Sequence, residues 1–393
     1  MATCTKTVPA NGSDVRVGTH RVCGPEESWR RLEPLLPLAG ITRVSDVTGL
    51  DDLGVPVWQA VRPNSWNLAV SQGKGITPAL ARISAAMESF ELFCAERPLL
   101  PSRTGSAHSM RPLLTYDVGD LPTPPRLTLS PHAPMVWHEV EDLHEGTTTW
   151  MPADMVAVDL RVRGSWAPAT TQISSNGLAS GNTPTEATVH GLLELMERHA
   201  LSVAARDRDM WDGAVRTLPG RHGASAEALR RCVGAGAAVE VVDITGDFGV
   251  PTFAARVWSP SVPWWFSGSG SHPDPDVALS RAVTEAAQSR LTVIAGARDD
   301  LARTPYLGVA PSVPARDAGP DAPTSDRLLA VHASPPTGTP AARDLDADLD
   351  ALLATARRHG VPVLRADLTV PSFGIPVVRV LAPGLRFDSK AWS

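Results

Sequence analysis

The chain has little of what would assign it to an unusual environment. Its four cysteines (Cys4, Cys23, Cys94, Cys232) have no metal-type spacing, so they read as reduced thiols of a cytoplasmic protein, not as a disulfide framework. Cys94, three residues after Glu91, reads as a buried helix residue. No run of about 18 apolar residues occurs, so no transmembrane helix is expected. The start, Met1-Ala2-Thr3-Cys4-Thr5-Lys6, lacks the charged-then-apolar design of a signal peptide. No basic cluster stands out and the formal charge is −6, which argues against a nucleic-acid binder. Kinase and α/β-hydrolase signatures are missing. Ser71-Gln72-Gly73-Lys74-Gly75 lacks Walker spacing and reads as a tight turn. What remains is an ordinary globular composition, 43% hydrophobic and 20% charged, in 393 residues, enough for a large core or two subdomains.

Against this background one local pattern occurs three times. A small-residue turn runs into Thr-Pro or Asp-Pro, and ten and thirteen residues after the proline stand Glu and Glu, or Glu and Gln. The copies are Gly73, Gly75, Thr77-Pro78, Glu88, Glu91; Gly177, Gly181, Thr183-Pro184, Glu194, Glu197; and Gly268, Gly270, Asp274-Pro275, Glu285, Gln288. Each Thr or Asp reads as an N-cap, with proline at the first helical position, where its missing N–H costs nothing. Thr183 and Glu186 also have capping-box spacing. Residues three and four apart share a helix face. Ser84, Glu88 and Glu91 therefore lie together beside an expected buried stripe of Leu80, Ile83, Met87 and Phe90. Glu186, His190, Glu194 and Glu197 flank Val189, Leu192, Leu193 and Met196. Arg281, Glu285 and Gln288 sit beside Ala282, Val283 and Ala286.

Ordinary amphipathic helices with solvated acids would carry such faces singly. Solvated acids usually have basic partners one turn away; Arg198 serves Glu194 and Arg281 serves Glu285, but Glu88 and Glu91 have none, and the three helices contain no lysine. If the three faces converge, the carboxylates repel unless cations sit between them. Oxygen ligands with a neighbouring serine suit Mg2+, which bridges carboxylates and substrate phosphates. The pattern points to a nucleoside triphosphate with more than one magnesium.

The rest of the chain reads as strands and helices in alternation. Residues 1–25 are expected as an extended arm and Glu26 to Leu36 as a short helix. Strand structure begins at Gly40 to Asp46, and Val55 to Val61 pairs with Trp66 to Val70 through a turn at Arg62-Pro63-Asn64-Ser65. Pro98 to His132 reads as loop with short strands. Met155 to Val162 and Thr171 to Ser174 are expected strands, and Ala226 to Val233 a helix capped by Ser225. Val239 to Ile244 and Thr252 to Trp258 form a strand pair, and Trp264-Trp265-Phe266 leads into the third acid-bearing helix. Residues 300–345 read as a long, Pro/Ala/Asp-rich connection. Helix Asp346 to His359 and strands Val363 to Asp367 and Ile375 to Val380 close the chain. The expected organisation is α/β (α+β): sheets covered by helices, from repeated strand-turn-helix units, with an arm and helix over 1–40 and one catalytic domain over 41–393.

Ser84-x-x-x-Glu88-x-x-Glu91, Glu186 with Glu194-x-x-Glu197-Arg198, and Glu285-x-x-Gln288-x-Arg290 resemble the three ATP/Mg2+ motifs of the YcaO family. The flanks agree at Arg43 to Asp51, Arg62-Pro63, Ser71 to Gly75, Ser180 to Thr183, Gly249-Val250-Pro251 and Gly374-Ile375-Pro376, so the resemblance spans about residues 20 to 388. It implies a YcaO-like fold with mixed or antiparallel sheets around a central ATP site. It implies that Glu88, Glu91, Glu186, Glu194, Glu197 and Glu285 hold Mg2+. Ser84, Arg198 and Gln288 would meet the nucleotide, with Arg21 and Ser28 as N-terminal phosphate contacts. Arg198, Glu194 and Glu197 would be the catalytic core.

By the same resemblance, the activity is ATP-dependent phosphorylation of a backbone amide in a ribosomally made precursor peptide. A thiol then gives thiazoline, a hydroxyl oxazoline, an amine an amidine and sulfide a thioamide. The end Phe387 to Ser393 lacks the Pro-x-Pro-x-Pro tail common in azoline formers, and no fused peptide-binding domain is expected. Both features resemble stand-alone members, among them bottromycin-type enzymes and thioamide formers that work with a TfuA partner. Residues 57–75 look closest to the TfuA-associated branch. Trp66 and Trp264 to Phe266 would line a peptide groove or serve as core aromatics. A homodimer is the expected assembly, without membrane or nucleic-acid partners. A non-catalytic ATP-binding accessory protein and an ATP-dependent peptide ligase are the alternatives.

Overall fold

Cap chemistry fixes where the three long helices begin. The computed structural model describes residues 18–122, 130–161, 173–206, 210–216, 222–298, 300 and 344–387. In chain order these form α1 (Pro25–Leu32), β1 (Arg43–Asp46), β2 (Val57–Val61), β3 (Val70–Lys74) and α2 (Pro78–Glu96). Then come β4 (Ser102–Ser106), α3 (Ala107–Met110), β5 (Pro134–Asp142), β6 (Thr147–Pro152), α4 (Ala153–Val156), β7 (Leu178–Ser180) and α5 (Pro184–Ala204). The remainder is β8 (Val215–Arg216), α6 (Ala224–Gly234), β9 (Ala238–Asp243), β10 (Thr252–Ser259), β11 (Val262–Ser271), α7 (Pro275–Ala295), α8 (Leu345–Arg358), β12 (Leu364–Asp367) and β13 (Val377–Leu381). At α2, α5 and α7 the side chains of Thr77, Thr183 and Asp274 accept from backbone N–H groups of the first turn, and Pro78, Pro184 and Pro275 follow.

Three antiparallel sheets support these helices. One has the order β1-β2-β3, one β11-β10-β9-β8, and one β4-β5-β12-β13-β7 with β6 also on β5. Each long helix packs back on the strand that precedes it, and glycine sets the distance. A Cβ on Gly73 of β3 would lie 2.0 Å from the Ala85 nitrogen; on Gly268 of β11, 2.3 Å from that of Ala286; on Gly181, just after β7, 2.6 Å from that of Ala187. Helix backbone therefore rests on strand backbone with no side chain between them. In all three helices the residue just before the contacting alanine is polar: Ser84, Glu186 and Glu285. The same contact, made three times, turns the same sector of each helix to one place.

Several expectations need correction. Ser71 to Lys74 is strand, not a tight turn: β3 begins at Val70, and Trp66 to Ala69 is not strand. Its glycines serve close packing, which in sequence looks like turn chemistry. Met155 and Val156 end the one-turn helix α4 and no strand follows to Arg161; Val162 and Thr171-Gln172 lie outside the described residues. The hairpin β5–β6 was not foreseen. Ser225 lies inside α6, whose N-cap is Gly223. On α2, the side packed on β3 is Ala81 and Ala85, while Leu80, Ile83 and Met87 are only half-buried. The pair Val239 to Ile244 and Thr252 to Trp258, the helix after Leu345 and the last two strands are as expected. The arm over 1–17 and the connection over 301–343 lie outside the described residues.

Arg290, part of the third motif, belongs to the fold. It is fully buried and donates to Asp51 at 3.0 Å, to Asp52 at 3.1 Å and to Ser261, clasping the β1–β2 loop to β11 and α7. Cys94 is buried, as expected, and burial pushes its thiol up to about 12. Among the described residues no helix is long and apolar enough to cross a membrane.

Gly73→Val and Gly268→Val are expected to destabilise by about 3 kcal/mol or more, because the new Cβ meets helix backbone that cannot yield. Gly54, at φ +66° in open space, gives a contrast: Gly54→Ala should cost only about 1–2 kcal/mol of left-handed strain. Urea unfolding of the three variants measures the difference.

Candidate functional site

A cavity of about 570 Å3 opens where α2, α5 and α7 meet, and all eleven residues singled out from the sequence border it: Arg21, Ser28, Ser84, Glu88, Glu91, Glu186, Glu194, Glu197, Arg198, Glu285 and Gln288. The acids come from three helices on three sheets, so only the tertiary fold assembles them. Leu80, Ile83 and Met87 of α2 also border the cavity and give it an apolar flank.

The segment before α1 closes one end. Arg21 Nη1 donates to Glu186 Oε1 at 2.9 Å and to the Ser180 carbonyl at 3.2 Å, and the Val22 N–H donates to Glu186 Oε2 at 2.9 Å. Asn182 adds its N–H at 3.1 Å and its side-chain amide at 3.0 Å, and its Oδ1 accepts from Ser28 Oγ at 2.8 Å. The expected capping box is thus half-formed. Thr183 Oγ1 accepts from the Glu186 N–H, but the Glu186 carboxylate turns to Asn182 and Arg21.

At the centre, Arg198 lies between Glu194 at 3.6 Å, Glu197 at 3.5 Å and Glu285 at 3.7 Å. Burial alone would weaken its charge; the three carboxylates outweigh burial and hold the guanidinium above its ordinary range. Glu197 also accepts from Ser269 Oγ at 2.7 Å and the Ser271 N–H at 3.1 Å, and Glu194 from the Gly177 N–H at 3.0 Å. Glu91 accepts from Ser180 N–H at 2.8 Å and Oγ at 2.6 Å. Burial nevertheless pushes Glu91 up to about 8, with the charges of Glu88 and Glu194 adding to the rise. Burial likewise carries Glu88 to about 7 although Arg298 and Lys74 oppose it. Glu285 shifts the other way: burial would raise it, but Lys74 and Arg198 prevail and its carboxyl titrates below the usual range.

Four residues to which the sequence assigns no ligand role also border the cavity: Lys74 and Asn182, and His190 and Arg281, which the sequence places on the acidic faces of their helices. The expected turn-to-turn pair of Arg281 with Glu285 is not formed. Glu285 takes Lys74 Nζ at 2.6 Å, and Arg281 Nη2 donates to His190 Nε2 at 2.7 Å. Burial, helped by the charges of Arg281 and Arg21, keeps His190 neutral, which suits it as that acceptor. One signal marked Lys74 beforehand: it is one of only three lysines in the chain. The aromatics expected to line a peptide groove or serve in the core lie away from this cavity. Trp66 stacks with Arg97 at 4.2 Å and Arg161 at 3.2 Å, Trp264 to Phe266 belong to β11, and none of these aromatics borders the cavity.

Among the described residues, six carboxylates thus face five cations: Arg21, Lys74, Arg198, Arg281 and Arg298. Among the described residues no three His, Cys, Asp or Glu side chains stand together as a metal site. The donor set still fits a hard divalent cation. The acids offer oxygen only, and Glu88 and Glu91 are buried with too little countercharge, which such an ion would supply.

The sequence profile of the YcaO family, described as YcaO cyclodehydratase, ATP- and Mg2+-binding, matches residues 72–386, and the chain belongs to that family. An uncharacterised Mycobacterium tuberculosis protein is 39% identical over 380 residues, 96% of this chain and 84% of the relative. A Rhizobium leguminosarum bv. trifolii protein described as uncharacterised, in the tfuA 3' region, is 34% identical over 94% of this chain and 89% of its own length. Among solved structures, a heterocyclase in complex with substrate and cofactor aligns with TM-score 0.68 and 21% identity over 96% of this chain, which spans 54% of that protein. A YcaO protein of Methanopyrus kandleri bound with AMPPCP and Mg2+ aligns with TM-score 0.66 and 23% identity over 96% of both chains. These likenesses establish the YcaO fold.

A carboxyl whose folded pKa is raised weakens the fold as pH climbs, since the unfolded chain ionises at the ordinary value near 4.5 and the folded one only near 8. With EDTA present, the melting temperature should therefore fall from about pH 6 to about pH 9 more steeply in the natural protein than in Glu91→Gln. Parallel curves in calorimetry would refute the assignment.

Proposed function

We propose that this YcaO chain is an ATP- and Mg2+-dependent enzyme that activates a backbone amide of a ribosomally made precursor peptide by phosphorylation. A thiol, amine or sulfide adds to the amide carbon, and phosphorylation of the adduct oxygen lets that oxygen leave. The observation that carries the reading is the convergence of six glutamates, from three separate helices, on one cavity that five cations also border. Family membership gives that convergence its chemistry.

In this reading Glu88, Glu91, Glu186, Glu194, Glu197 and Glu285 hold magnesium. Bound there, the ions neutralise triphosphate charge and polarise the phosphoryl group. Ser84 and Gln288 meet the nucleotide, and Arg21 and Ser28 close its phosphate end. Arg198, fixed by three carboxylates, presents a guanidinium that needs no reorganisation as charge develops during transfer. The apolar flank formed by Leu80, Ile83 and Met87 excludes water from one side of the reacting centre. An amide carbonyl is a poor electrophile and its oxygen a poor leaving group. The nucleophile adds to the amide carbon, transfer of phosphate to the oxygen of that adduct makes it a leaving group, and the nucleophile that has added determines the product.

The Rhizobium relative, described by its place beside tfuA, favours sulfide as the nucleophile, a thioamide as the product and a TfuA-like protein as the partner. Thiazoline and amidine formation share the site and differ only in what attacks. The reading as a non-catalytic ATP-binding accessory factor leaves the full set of acids without a purpose. A peptide ligase would share the metal demand.

Peptides encoded beside the gene should stimulate phosphate release from ATP. Mass spectrometry should then show loss of water, or sulfur in place of oxygen; addition of a residue would mean a ligase, and no peptide-dependent phosphate an accessory role. Glu194→Gln and Arg198→Lys should each lower kcat by roughly 10^2-fold or more.

A further inference from the structure

We propose that Lys74 is a further catalytic residue of this site, its ammonium donating to the phosphoryl group as it is transferred. This rests on the reading of the cavity as a site of phosphoryl transfer from ATP.

The strand positions the side chain. Lys74 is the last residue of β3, between Gly73 and Gly75, whose Cβ directions both run into α2. Successive strand residues point to opposite faces, so Lys74 leaves the other way, borders the cavity and reaches Glu285 of α7. Both neighbours are glycines for a packing reason, as each Cβ would meet α2. Its side chain is 23% exposed and that of Glu285 16%, so the pair lies at the cavity surface.

The other cations are committed differently. Arg198 is shared among three carboxylates. Arg21 is held by Glu186 and the Ser180 carbonyl. Arg298 is held by Asp300, and Arg281 is bonded to the neutral ring of His190. Lys74 makes one hydrogen bond among the described residues, to Glu285 Oε2 at 2.6 Å. An ammonium has three N–H donors, so two remain for a ligand in the cavity. A compact charge on a flexible stem can follow an oxygen whose charge grows, as a planar guanidinium fixed between acids cannot.

In the step itself, the deprotonated oxygen of the tetrahedral adduct forms a bond to the γ-phosphorus. The bond from that phosphorus to the bridging oxygen breaks, and its electron pair leaves with ADP. Charge spreads over the non-bridging oxygens, one of which accepts from Lys74; the proton stays on nitrogen throughout.

The test uses the full chain as Lys74→Met, Lys74→Arg and Lys74→Cys, the last before and after treatment with 2-bromoethylamine, which rebuilds an ammonium at nearly the same reach. The natural protein treated alike controls for Cys23, which also borders the cavity. Calorimetry gives the affinity for AMPPCP with Mg2+, and peptide-driven phosphate release gives kcat and KM for ATP. A catalytic Lys74 leaves AMPPCP affinity and KM of Lys74→Met within about threefold and lowers kcat about 10^2- to 10^3-fold. Aminoethylation of Lys74→Cys then restores kcat at least about tenfold. The proposal is overturned if kcat of Lys74→Met stays within about fivefold, or if AMPPCP affinity falls as far as kcat/KM with kcat unchanged, as for a ground-state tether. Should Lys74→Met fail to fold, the treated and untreated Lys74→Cys samples decide, and an unchanged kcat between them counts against the role. Failure of the natural protein to bind AMPPCP, or to release phosphate with any peptide, instead removes the functional reading and this proposal with it.

Discussion

The close approach of three helices to three glycine-bearing strands is the constraint from which the cavity follows. Gly73, Gly181 and Gly268 let the backbones of α2, α5 and α7 settle on strand backbone near Ala85, Ala187 and Ala286. A layer of larger side chains would push each helix outward and could be repacked in several ways. Backbone contact removes that freedom. Because the offset between contacting alanine and neighbouring polar residue is the same in all three helices, one packing solution orients all three acidic faces. The cap and proline ahead of each helix set its starting point, and with it the depth of the acids along the cavity wall.

Convergence carries an electrostatic cost, which the structure offsets largely from within. Burial of so many carboxylates without compensation would unfold a domain of ordinary stability. Arg198, Arg21 and Lys74 each pair with acids, serine hydroxyls and strand N–H groups serve Glu91 and Glu197, and the N–H of Gly177 before β7 serves Glu194. The balance is uneven. Near Glu88 and Glu91 burial prevails, whereas Glu285 is over-served by Lys74 and Arg198. The cavity therefore has a region short of positive charge beside a region rich in it, a gradient suited to a polyanion carrying its own metal ions.

Much of this was legible in the sequence because it is written locally. Cap, proline and acids at fixed spacing are short-range signals, and they located three helices and their polar faces. Eleven residues chosen from those signals and from family resemblance border one cavity. What escaped depends on distant partners. The glycines of β3 looked like turn residues because their reason for being glycine is a helix a dozen residues on. Arg281 was matched with Glu285 by helical spacing, yet its partner is His190 of another helix. Lys74 lies in a segment rejected as a phosphate loop, and only the tertiary fold shows its side chain entering the cavity. The hairpin β5–β6 is a pairing between segments that carry no turn signature of the Asn-Gly kind.

The attachment of Glu186 ties the chain's beginning to its centre. This carboxylate is almost wholly enclosed and is satisfied by Arg21, the Val22 N–H and Asn182. Removing the residues ahead of α1 would strip away two of those three partners and leave a buried carboxyl with one asparagine for company. Shortened versions of the protein are therefore poor tools for studying ligand affinity: trimming the front end rewires the interior electrostatics before any ligand is added.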